Sequence, residues 1–150
     1  MNGWILAAGV ELAVAGAASL WGVCTGPLPR RAMAQNLITS ALCPALLLLS
    51  QGYARPAYVD LALLMALLAP VGTLVFARLL ADELADDPPR AWGLTWTAAA
   101  LSAVAVVAVC AATGPGRAMV KVLVIGVLLI GGNLVASTAL AGGFRGVRGG

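Results

Sequence analysis

The chain of 150 residues is 61% hydrophobic and only 10% charged, with a formal net charge of +3, whereas an average soluble domain is roughly 25% charged. That balance points to an all-α integral membrane protein. The nine Lys and Arg sit between apolar runs rather than in a stripe, which excludes nucleic acid as a natural partner. There is no His, which removes Ser-His-Asp triads, Cys-His dyads and imidazole metal sites built within one chain, so no enzyme activity, metal or cofactor is expected.

Five apolar stretches are expected to cross the membrane, and the first runs from about 4 to 24. AVA followed by Gly16 has the look of a signal-peptidase site, but no Lys or Arg precedes it and Glu11 interrupts the run, so a retained helix is expected. Ala8, Glu11, Ala15, Ala18 and Gly22 share one helical face. Glu11 lies roughly 10 Å below the surface at about 1.5 Å per residue, where a carboxylate has to be protonated, paired or wet. A pair with Lys121 is geometrically open to it.

The second stretch, 32 to 51, follows TGPLPRR and lines up Asn36, Ser40 and Cys43 on a polar face, with Pro44 expected to bend it. The third, 58 to 80, reads YVDLALLMALLAPVGTLVFARLL. Its small residues Ala62, Ala66, Ala69, Gly72, Thr73 and Ala77 suit close helix contact, because backbone approach rather than hydrophobicity joins helices in lipid. A bend is expected at Pro70. Asp60 near its start reads either as a cap on free backbone N–H groups or as an ion or proton site at the outer mouth; Arg78 reads as an anchor at the far end.

The connector ADELADDPPRA is the longest break and the candidate seam between a three-helix unit (1–85) and a two-helix unit (86–150). The fourth stretch spans 92 to 113. The fifth, 119 to 142, opens with Lys121 and pairs Gly132 with Ala136 and Asn133 with Ser137 along its faces. Cys24, Cys43 and Cys110 each lie within an apolar run, none spaced as CxxC, and are expected to be small buried hydrophobes. Six Lys and Arg fall on one side (Arg30, Arg31, Arg78, Arg90, Arg145, Arg148) and three on the other (Arg55, Arg117, Lys121), which predicts the N-terminus outside and the C-terminus in the cytoplasm.

The order of a first span, a Gly-Pro connector with arginines, a second span and a Y-x-D-x-A-L-x-x-A-L-L stretch resembles the MrpF component of the multisubunit Mrp-type sodium/proton antiporter. Tyr58, Asp60, Ala62, Leu63, Ala66, Leu67, Leu68, Gly72, Thr73, Ala77 and Arg78 carry the resemblance, which covers about residues 5 to 85. MVKVLVIGVLLIGGNLVAS is similar to the final span of MrpG, another component of the same complex. The resemblance implies a small accessory subunit in a prokaryotic cell membrane, surrounded by lipid and by other subunits of an Mrp-type antiporter. Through that complex, Na+ or another monovalent cation and H+ would pass. Glu11, Asp60, Asn36, Thr73, Asn133 and Lys121 are the ion-path candidates; Ala62, Ala66, Ala69, Gly72, Ala77 and Gly132 are the helix-packing candidates.

Two departures bear on that reading. In MrpF proteins the Gly-Pro connector is usually followed by Asp-Arg and then by Ala-x-Asp; here Arg30-Arg31 and Ala34-Gln35-Asn36 stand in those places. In MrpG proteins the late break commonly contains proline, where this chain has Asn133. Two other classes fit the same helices. One is a membrane-arm subunit of an Mrp-like energy-converting hydrogenase or oxidoreductase. The other is a small exporter of cationic drugs anchored on Glu11, which would typically have four spans.

Overall fold

A computed structural model describes residues 2–25, 28–79 and 92–140. It contains five helices: α1 (Gly3–Cys24), α2 (Leu28–Gly52), α3 (Ala57–Leu79), α4 (Trp92–Thr113) and α5 (Arg117–Leu140). The connector at 81 to 90, the ends of the third and fifth expected spans at 80 and 141–142, and the tail with Arg145 and Arg148 lie outside the described residues.

Among the described residues, α1, α3, α4 and α5 are long and apolar enough to cross a membrane. α2 carries Arg31, Gln35, Asn36 and Gln51 among its apolar residues. α2 is the hub of the bundle and packs against all four other helices, so much of its surface meets protein rather than lipid. Pro44 and Pro70 both sit inside continuous helices, and Pro44 is fully buried.

Helix ends fix the directions. Asn2 Nδ2 donates to the carbonyl of Gly52 at 3.1 Å, joining the start of α1 to the end of α2. Gln51 Nε2 donates to Thr113 Oγ1 at 2.9 Å, joining the ends of α2 and α4. α1, α3 and α5 therefore run one way, and α2 and α4 the other. α2 closes with the Arg55 N–H on the Ser50 carbonyl at 3.1 Å, and Ala54 takes the left-handed φ of 51° that this stop requires. Gly114, at φ 71°, turns the chain between α4 and α5.

Many of the buried side chains are small, around a few large ones such as Leu47, Val109 and Ile125, while many large ones face outward. Ala8, Ala34, Ala62, Ala66, Ala77 and Ala136 are buried, whereas Leu20, Trp21, Val104, Val107 and Val127 are each about two-thirds exposed or more. In water such a surface would aggregate; in lipid it is the favourable side, and the small buried residues let backbones approach. A Cβ on Gly22 would stand 2.7 Å from Ala34 Cβ, and one on Gly126 would stand 2.8 Å from Val106 Cγ1. Helices from both sides of the expected seam share this core, because α5 packs on α3 and α4 packs on α2. Of the cysteines, Cys43 is buried, Cys110 partly so and Cys24 exposed. The expectation of a buried Cys24 is thus corrected: it is the last residue of α1 and is exposed.

Candidate functional site

Three polar side chains from three helices converge inside the bundle. Asn36 of α2 donates from Nδ2 to Asn133 Oδ1 of α5 at 2.9 Å, and Thr73 Oγ1 of α3 donates to Asn36 Oδ1 at 3.0 Å. Ser40, one turn on from Asn36, donates to the same Asn133 oxygen at 3.5 Å. Asn133 and Ser40 are buried, and the amide oxygens of Asn36 and Asn133 each accept at least one hydrogen bond.

The network lies roughly 9 to 12 Å inside the helix ends, at about 1.5 Å per residue from Leu28, Leu79 and Leu140. At that depth an unmade hydrogen bond has no water to fall back on, which gives these groups a strong reason to find one another. Beside the network, Gln35, Asn36 and Thr39 of α2 face Ala69, Gly72 and Thr73 of α3 across a cleft of about 260 Å³.

Gly72 belongs to this cleft rather than to a helix contact. It is exposed, and a Cβ built there meets nothing within 4 Å. Among the described residues no other helix of this chain packs on it, because it lies on the open side of α3 one residue before Thr73. Gly132 is the opposite case: a Cβ there would collide with the Pro70 ring of α3. That glycine lets α3 and α5 close on each other beside Asn133. Ala62, Ala66 and Ala77 are buried within the bundle, and Ala69 is partly buried.

The other ion-path candidates stand elsewhere. Asp60 Oδ1 accepts from Lys121 Nζ at 3.0 Å, with both side chains more than half exposed. The expected Glu11–Lys121 pair is therefore corrected. Asp60 is the fourth residue of α3 and Lys121 the fifth of α5, at matching depth on parallel helices, whereas Glu11 is the ninth residue of α1. Asp60 does not cap α3 either: the N–H groups of Tyr58, Val59 and Asp60 go to the carbonyls of Arg55 and Pro56.

A double-mutant cycle on Asp60→Asn and Lys121→Gln, read by unfolding in detergent micelles, is expected to give a coupling below about 1 kcal/mol, because water screens an exposed pair. Glu11 lines a separate and larger groove between α1, α2 and α4, of about 790 Å³. Ser40 lines that groove as well, so it connects the groove wall to the polar network.

Sequence reasoning placed Asn36, Thr73 and Asn133 among the candidates without joining them, and missed the lining residues Gln35 and Thr39. The available signal was depth: Asn36, Thr73 and Asn133 lie similar distances from the ends of their helices.

With this geometry in place, comparison with known proteins adds one observation. Residues 29–81 match the family model of Multiple resistance and pH regulation protein F (MrpF / PhaF). The MrpF-like stretch covers α2 and α3 almost completely and contains Asn36, Ser40, Asp60, Gly72 and Thr73. It leaves out α1, α4 and α5, so the likeness of the last helix to MrpG has no support from this comparison. No curated protein and no solved structure matches the chain.

Proposed function

We propose that this chain is an accessory membrane subunit of an Mrp-type multisubunit monovalent cation/proton antiporter. The MrpF match over α2 and α3 carries the reading, and the lipid-suited exterior of the bundle agrees with it. It is a transporter component rather than an enzyme. In this reading α4 and α5 form a second part, similar to MrpG, and the end that bears Asp60 and Lys121 faces outside.

The ion-path part of the proposal centres on the cleft. Asn36 and Thr73 line it, and Asn133 holds Asn36 from behind. Asn36 is neutral where MrpF proteins usually carry an acid, and Thr73 and Asn133 are neutral as well, so the cleft offers dipoles and not a fixed charge. Such a lining solvates a passing cation weakly, while the network holds three helices in register.

Inverted membrane vesicles provide the test. Removing the chain is expected to abolish sodium-dependent proton movement, while Asn36→Ala and Thr73→Val reduce it several-fold with the complex still assembled. Unchanged transport in the two variants removes the ion-path role; full antiport without the chain removes the subunit role.

A further inference from the structure

The groove that contains Glu11 has the length, lining and charge of a docking site for a helix. Its walls follow α1 from Trp4 to Ala18 and α4 from Thr97 to Ala108, a run of about 16 to 21 Å at roughly 1.5 Å per residue. α2 forms its floor, and α1 packs mainly on α2, which leaves the space between α1 and α4 open. Much of the lining is alanine, Ala7, Ala15 and Ala18 on one wall with Ala98, Ala105 and Ala108 on the other. These alanines, set between larger residues such as Val10, Val14, Leu101 and Val104, give an incoming helix notches for close approach, which favours helix association in lipid.

One charged group stands in this lining. Glu11 takes part in no hydrogen bond or ion pair among the described residues, although it is only partly exposed. We infer that the groove receives a transmembrane helix of a different subunit, one that presents a Lys or Arg to the Glu11 carboxylate. The inference rests on reading the chain as a subunit of a complex.

The basic group does not come from a second copy of the described residues. Arg31, Arg78 and Arg117 lie at helix ends, Arg55 lies in the turn before α3, and Lys121 already holds Asp60. An acid held at this depth is stabilised by a matching cation on the incoming helix. The two groups then set that helix's register along the groove.

The test uses the full chain in its native membrane with p-benzoylphenylalanine at Leu101, an exposed groove residue. Irradiation is expected to join the chain to a second polypeptide. The joined peptide should map to an apolar segment of at least about 18 residues that contains Lys or Arg. Glu11→Gln keeps the size and removes the charge, and is expected to lower the crosslink yield about three- to thirtyfold. Exchange of the partner's basic residue for Gln should do the same, with little further loss in the double variant.

Crosslinks to lipid alone, to a second copy, or to a helix without a basic residue overturn the inference, as does an unchanged yield for Glu11→Gln. If the complex still co-purifies in any of those cases, the groove inference falls by itself. If nothing co-purifies in mild detergent, the subunit reading falls with it.

Discussion

Asn133→Leu is expected to destabilise the bundle by about 2–4 kcal/mol, among the largest effects of any single polar substitution in this chain. Its Oδ1 accepts from both Asn36 Nδ2 and Ser40 Oγ. Leu removes two contacts between α2 and α5 and leaves donors stranded in the protein interior. Interhelical hydrogen bonds in membranes contribute about 0.6 kcal/mol on average and up to roughly 2, and a stranded buried donor costs about 1–3 kcal/mol more.

Thr73→Val is the informative companion. It removes the one donor on the partly buried edge of the network and should cost less than about 1 kcal/mol. Unfolding by SDS titration in mixed micelles separates the two. Equal losses would mean that Asn133 does not tie the helices together.

Gly132→Val should cost about 1–3 kcal/mol from overpacking alone. The added Cβ would meet the Pro70 ring, and a proline ring has no rotamer that takes it out of the way. α3 and α5 must then move apart, one residue from the Asn133 hydrogen bonds, so part of the network loss should add to the steric cost. Gly72→Ala is the matched reference. Its Cβ enters open space, so the same titration should show no loss, with a gain of up to about 1 kcal/mol from helix propensity. A Gly132 variant as stable as the Gly72 variant would show that α3 and α5 do not approach closely at Pro70.

The sequence alone carries the class of protein and the positions of its helices. Apolar runs of about twenty residues, broken by Pro, Gly and charge, give five helices whose ends differ from the expected limits by a few residues. Lipid imposes this legibility: a backbone inside it has to satisfy its own hydrogen bonds, so run length translates almost directly into helix length. The spacing of Ala62, Ala66 and Ala77 on one face was equally open to reading, because helical periodicity alone decides which residues share a face.

What covers each face is settled only by the tertiary structure. Glu11 and Asp60 are each the lone acid of their helix, and the sequence reading offers Lys121 to Glu11; matching depth on the parallel helices α3 and α5 gives it to Asp60. Gly72 and Gly132 are alike as letters, yet one borders a cleft and the other receives a proline ring. Asn36, Thr73 and Asn133 come from positions 37 and 60 residues apart and meet only because α2 stands at the centre of the bundle. Local sequence determines which side of a helix a group is on, whereas partners depend on the order in which helices surround one another. That order follows from packing summed over every interface and from no single stretch of chain.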